Sequence, residues 1–323
     1  MTTITSIEDL RQLYKKRVPR MFQEYGEAGS WTESTLRRNT AAFDDIRFRP
    51  RVAVDVAERS IAATMLGEQW RMPVALAPTG LAGMQRADGE ILAAQAAEKF
   101  GVPFTLSMMG ICSIEDVAAY TDKPFWFQFY MMKDREFTAD IINRAKLAHC
   151  SALVMTLDVQ LVGQRHVDVK NRMTIPPKLT IPNLLNMATK PGWCLGMLQT
   201  RRRFFDNLLG HVPGVKTRAE LFQWAAGQLN PASDWQDVDW VKAQWGGKLI
   251  LKGIMDVEDA KLAAQKGVDA IVVSNHGGRQ LDGALSSIRS LPDIIDAVGD
   301  DIEVWMDSGI RSGQDVAKAI ALG

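Results

Sequence analysis

Seven times between residues 72 and 323, a short apolar run ends in a polar residue or glycine and gives way to a stretch with helical periodicity. The runs are Met72 to Pro78 (MPVALAP), Pro103 to Ser107, Phe125 to Tyr130, Ala152 to Asp158, Lys248 to Gly253, Asp269 to Asn275 and Glu303 to Gly309. Strands this short and apolar are buried on both faces, and their alternation with helices implies parallel pairing through helical crossovers. A doubly wound sheet would satisfy the alternation too. Polar groups at nearly every strand end favour an active site ringed by loops, so the expected class is α/β, a (β/α)8 TIM barrel. The count is one short, because the sequence stops at Ala321-Leu322-Gly323 where an eighth strand is due. The expectation is therefore a single domain, 1–323, C-terminally truncated after the seventh βα unit.

Two segments lie outside this grammar. Residues 6 to 25 read as an N-terminal helical segment, opened by a capping box of Ser6 and Asp9 and carrying Leu10, Leu13 and Tyr14 on one face. A long insertion, 159–233, separates the fourth strand from its helix, a length that marks a functional segment. Its middle interleaves Leu, Met, Trp and Phe with Lys190 and the run Arg201-Arg202-Arg203, so 175–215 is expected either to contact a lipid headgroup region or to pack as a cap over the barrel mouth or against a neighbouring subunit.

The 38 basic residues equal the 38 acidic ones, which argues against nucleic acid as the main partner. Cys112, Cys150 and Cys194 have neither CxxC nor Cys/His spacing, so no metal site or disulfide framework is expected. The amino terminus lacks the apolar core of a signal peptide, and no run reaches the roughly 18 apolar residues of a membrane span, so residence on the cytoplasmic side is expected.

In a parallel barrel the carboxyl ends of the strands converge on one cavity. Here they carry Thr79, Ser107, Gln128, Tyr130, Thr156, Asp158, Lys252, Ser274, His276, Asp307 and Gly309. His276 has the intrinsic pKa of a base near neutrality, and a carboxylate such as Asp158 would orient it. Arg279, three residues on, has the fork that holds a carboxylate by two parallel bonds. Lys252 would set positive charge against a group that gains electrons. The run DSGIR, Asp307 to Arg311, offers glycine amides and an arginine at a helix start, the form of a phosphate cradle.

The motif SNHGGRQLDG at 274–283, with ALAPTG at 75–80, TLS at 105–107, WFQFY at 126–130, TLD at 156–158 and DSGIR at 307–311, resembles the FMN-dependent 2-hydroxy acid dehydrogenase and oxidase family. The likeness runs from about residue 5 to 323. It implies that His276 takes the substrate proton with Asp158 paired to it, and that Arg279, Arg165, Tyr25 and Tyr130 bind the substrate. FMN would be held by Ser107, Gln128, Thr156, Lys252 and Ser274, with the backbone of Ala77, Pro78 and Thr79 at its ring edge and Asp307, Gly309 and Arg311 at the ribityl and phosphate end. Glycolate-type oxidases carry tryptophan where this chain has Met109, which implies a differently shaped pocket. The family's second phosphate-binding Gly-Arg would lie beyond Gly323, which implies weaker FMN retention.

The insertion is similar to that of the membrane-associated members. The expected activity is therefore oxidation of an L-2-hydroxy acid, L-lactate foremost, with electrons passing to quinone or cytochrome. A homo-oligomer, a tetramer by resemblance, is expected. The alternatives are a soluble glycolate or lactate oxidase using oxygen, an (S)-mandelate dehydrogenase, or an inactive barrel fragment.

Overall fold

The computed structural model describes residues 3–173, 178–215 and 217–323. Two short strands, β1 (Ala63–Met65) and β2 (Glu68–Trp70), make an antiparallel hairpin across Leu66 and Gly67, both at positive φ as a two-residue hairpin turn demands. Six further strands follow: β3 (Thr105–Ser107), β4 (Trp126–Tyr130), β5 (Ala152–Thr156), β6 (Lys248–Ile254), β7 (Ala270–Val273) and β8 (Glu303–Met306). They form one sheet in chain order, with every neighbouring pair parallel.

The first expected strand, MPVALAP, is not one. It adds a single parallel bridge, Leu76 to Phe104, in which Leu76 donates to the Pro103 carbonyl (2.9 Å) and accepts from Thr105 (3.0 Å). Pro73 and Pro78 have no N–H to give, which leaves the run few ladder donors. Among the described residues β8 pairs only with β7, so the sheet is open rather than a closed barrel.

It is nevertheless strongly curled. The rings of Trp126 on β4 and Trp305 on β8 stack with centroids 5.1 Å apart and 7° between planes. In a flat sheet those strands would stand about 19 Å apart, four spacings of about 4.8 Å. On the concave side Trp126, Ala152, Val154, Ile250 and Ala270 close around Leu66 of the hairpin turn. The alternate residues, Phe127, Phe129, Leu153, Met155, Leu249, Leu251 and Ile271, pack outward against the crossover helices. Strand period two thus divides apolar bulk between two layers and leaves the polar strand ends at the rim of the trough.

The N-terminal segment keeps its capping box, but it is two helices rather than one, Ile7–Arg17 and Arg20–Glu27. Pro19 breaks it, since a proline disfavours helical backbone in the residue before it and lacks a donor of its own. A third helix, Ser34–Ala41, follows. The insertion contains helices His166–Lys170, Ile181–Ala188, Pro191–Gln199 and Arg218–Ala226. Two of these lie on the N-terminal helices through Val18, Met21, Phe22, Met187 and Trp193, with the Phe22 and Trp193 rings stacked at 5.7 Å. Their other faces expose Ile181, Leu184, Leu185, Leu195 and Leu198. Of the expected contact segment 175–215, residues 175–177 lie outside the described residues.

Candidate active site

The site is built where β5 and β6 end. β6 is irregular between Lys252 and Ile254, and Gly253 sits there at φ +104°; a Cβ on it would come within 2.7 Å of the Asp158 side chain. Only glycine lets Asp158 lie this close to β6. From the end of β7, His276 reaches across at φ +59° and places Nδ1 3.0 Å from Asp158 Oδ1. The His276 amide donates to Ser274 Oγ at 3.1 Å. With a proton on Nδ1 directed at the carboxylate, Nε2 keeps its lone pair, the arrangement of a base. Asp158 Oδ2 is buried and has no hydrogen-bond partner among the described residues.

Two guanidiniums flank the ring of Tyr25, Arg279 at 4.8 Å from its centroid and Arg165 at 5.8 Å. Arg279 Nη1 donates to the carbonyls of Tyr25 (2.6 Å) and Ala28 (2.7 Å), which leaves Nε and Nη2 for a ligand. Burial, and then Arg165 beside it, hold Arg279 below the usual guanidinium range. Tyr130 lies in the same group: burial, and then Tyr25 and Asp158, push its phenol upward, so it stays protonated at neutral pH. A Cβ on Gly80 would lie 3.4 Å from the Tyr25 hydroxyl and from the Met109 carbonyl, so the Pro78–Gly80 turn and the Met109 loop border this space.

Below it, a row of hydrogen bonds crosses three strands. Ser107 donates to Gln128 Oε1 (3.0 Å), and Gln128 Nε2 donates to Thr156 Oγ1 (2.9 Å). Lys252 is buried, 2.8 Å from Asp307 Oδ2 and donating to Ser274 Oγ at 2.7 Å. Burial works against charge on both partners, yet each holds the other ionised: Lys252 is raised and Asp307 lowered. Two expected members stand apart. The Arg311 guanidinium is exposed and, among the described residues, hydrogen-bonds only the Ile310 carbonyl (3.5 Å), while Gly309, at φ +87°, packs directly on the Asn39 carbonyl. Ala77 and Thr79 are exposed on their turn.

Sequence reasoning missed the residues that hold the His276 loop. Asn39 and Asn275 exchange two amide bonds, 2.8 and 2.7 Å, in a buried pair. Ser30 N donates to the Gly278 carbonyl (2.9 Å). Asp282 accepts from Thr32 N (3.0 Å), Thr32 Oγ1 (2.6 Å) and Thr35 N (2.9 Å), which ties the loop to the start of helix Ser34–Ala41. Those bonds, led by the Thr32 hydroxyl, lower the Asp282 carboxyl to about 2. A depressed carboxyl adds stability above its unfolded value, roughly 3.9, and that stability fades as pH falls through about 2. Asp282→Asn should thus be less stable than wild type at neutral pH and converge with it toward pH 2, measured by urea unfolding across the acid range.

The FMN-dependent dehydrogenase family matches residues 14–323. L-lactate dehydrogenase of Caulobacter sp. (strain K31) is 44% identical over 99% of this chain and 84% of its own length. That of Haemophilus influenzae (strain PittEE) is 42% identical over the same shares. Among solved structures, a monotopic membrane protein, (S)-mandelate dehydrogenase, superposes with a TM-score of 0.94 at 34% identity, covering 100% of this chain and 85% of that one. A soluble mutant of the membrane-associated (S)-mandelate dehydrogenase from Pseudomonas putida gives 0.80 at 34% identity, covering 99% and 84%. Identity of this extent, with a likeness of fold over the full length, shows a TIM-barrel relative, and the chain belongs to the FMN-dependent dehydrogenase family.

Proposed function

We propose that the protein oxidises an L-2-hydroxy acid, L-lactate foremost, to the 2-oxo acid, with FMN as its resident electron acceptor and a quinone or cytochrome as the next one. The observation that carries this is the His276–Asp158 pair at 3.0 Å beside the Arg279/Arg165 cation pair. A base next to a carboxylate clamp fits a substrate whose proton lies on or beside the carbon bearing the carboxylate. Arg279 and Arg165 hold the carboxylate, the protonated Tyr130 and Tyr25 hydroxyls orient the substrate oxygen, and His276 Nε2 takes a proton. Asp158 then stabilises the imidazolium.

The donor set fits FMN. Gln128 uses one amide hydrogen and one oxygen lone pair on its neighbours and keeps one of each, the complement of a cyclic imide edge. Ser107, Gln128, Thr156, Lys252 and Ser274 would hold the ring with the backbone of Ala77, Pro78 and Thr79, and Asp307, Gly309 and Arg311 would face the ribityl and phosphate end. FMN when bound supplies the two-electron acceptor; the buried Lys252 cation supplies fixed positive charge to favour its reduction. We read the six-stranded curled sheet, together with the single Leu76 bridge beside β3, as seven strand positions of the family barrel.

No helix among the described residues is long and apolar enough to cross a membrane. The exposed Ile181, Leu184, Leu185, Leu195 and Leu198, with Lys178 and Arg201 exposed nearby, support peripheral contact with a membrane's cytoplasmic face. A homo-oligomer is part of the same reading. (S)-mandelate is the second candidate substrate, favoured by the 0.94 TM-score.

Flavin absorbance under anaerobic titration tests the function. L-lactate should bleach the bands and D-lactate should not, with (S)-mandelate reporting on the pocket. Flavin that no 2-hydroxy acid reduces would overturn the reading. Rapid reoxidation in air with peroxide release would replace dehydrogenase by oxidase.

A further inference from the structure

We propose that Asp168 is the counter-charge of the paired guanidiniums, a positioning residue that acts through Arg165 to hold down affinity for a carboxylate and so eases release of the 2-oxo acid. The inference rests on the carboxylate-binding reading of Arg279 and Arg165 above.

Asp168 lies three residues after Arg165 on the short helix His166–Lys170 and is only 8% exposed. Its Oδ2 stands 3.6 Å from Arg165 Nε, beyond hydrogen-bond length, and Oδ1 has no hydrogen-bond partner among the described residues. A carboxylate that fixes the plane of a guanidinium commonly does so through two parallel bonds. The chain builds one elsewhere: Glu115 accepts from Arg144 Nε and Nη2, both at 2.8 Å. Asp168 makes neither bond, so what it exerts on Arg165 is charge rather than geometry.

The field of the site bears this out. Burial pushes the Asp168 carboxyl upward, against the pull of Arg165 and then Arg279, so both guanidiniums act on it. By the same Coulombic reach, ionised Asp168 lowers the positive potential that an arriving carboxylate meets. Substrate and product both carry that carboxylate. With no hydrogen bond to its carboxylate among the described residues, Asp168 therefore competes for Arg165 without locking it, and the competition weakens the hold on product as much as on substrate.

The test is calorimetric titration of the FMN-loaded enzyme with pyruvate, in wild type, Asp168→Asn, Asp168→Ser and Asp168→Glu, alongside KM and kcat for L-lactate. The neutral variants should bind pyruvate on the order of tenfold more tightly and show a lower KM with no gain in kcat, while Asp168→Glu stays near wild type. A merely structural role predicts the opposite sign, loss of affinity. Unchanged or weaker pyruvate binding in the neutral variants overturns the proposal. So does failure of both to fold, since a counter-charge alone is dispensable to the fold. Wild type that neither binds pyruvate nor is reduced by a 2-hydroxy acid would instead bring down the functional reading itself.

Discussion

Replacing His276 with glutamine is expected to leave FMN bound and to cut the rate of flavin reduction by L-lactate by a factor on the order of 10² or more. Glutamine can still donate an amide hydrogen toward Asp158 Oδ1, which His276 Nδ1 meets at 3.0 Å, so the loop should keep its position. What it lacks is a nitrogen lone pair basic enough to take a proton near neutral pH. The flavin contacts assigned to Ser107, Gln128, Thr156 and Lys252 do not pass through the imidazole. Single-turnover reduction followed by flavin absorbance separates the two effects, because bound cofactor and the reduction rate are read in one experiment. Wild-type reduction rates in His276→Gln would remove the histidine from the role of base, and loss of the flavin would make it a structural residue.

How far the fold could be read from sequence follows the kind of force involved. Strands β3 to β7 were legible because a strand buried on both faces reads as a continuous apolar run, and half-buried β8 keeps the same apolar signal; the polar residues assigned to the site lie at or next to the strand ends. The pairing of His276 with Asp158 was legible for a related reason: both end strands of one sheet, and strand ends converge. MPVALAP carried the same apolar signal, but its prolines withhold donors, so hydrophobic pattern alone overstated it. Pro19 likewise outweighed the helical periodicity on either side of it.

The contacts that hold the site were not legible. Asn39 and Asn275 lie 236 positions apart and Asp282 and Thr35 lie 247 apart, and a polar pair at such separation leaves no periodic trace. Asp168 is similar, since nothing in HVDVK says that its carboxylate faces two arginines rather than water. DSGIR shows the same limit from the other side. The segment starts a helix as expected, with Ser312 as its cap, but the Arg311 guanidinium is exposed and Gly309 serves a close approach to Asn39. Residue type at a helix start constrains the backbone more than it constrains where a long side chain points.

Lys252→Met should be the most damaging single change to stability in the site. The lysine is 5% exposed and its partner Asp307 lies 2.8 Å away, so methionine would fill the space and leave a carboxylate with no counter-charge. Breaking a fully buried pair in this way costs about 3–5 kcal/mol, and because the Asp307 side chain keeps 23% exposure the lower end of that range is expected. The double variant Lys252→Met/Asp307→Asn removes the stranded charge and should recover much of that loss, which a denaturation cycle over the four proteins measures directly. The pH dependence gives a second handle. Burial opposes charge on each partner, but the partner's field prevails, so Asp307 is lowered and Lys252 raised. The aspartate's contribution is present above roughly 3.9 and lost as pH falls through its folded value, and the lysine's is present below roughly 10.4 and lost as pH rises through its own. The gap in stability between wild type and Lys252→Met should therefore be widest across the middle of the range and narrow toward both extremes. A gap that does not vary with pH, or a double variant no more stable than Lys252→Met, would mean that packing rather than charge holds these strands together beneath the proposed flavin site.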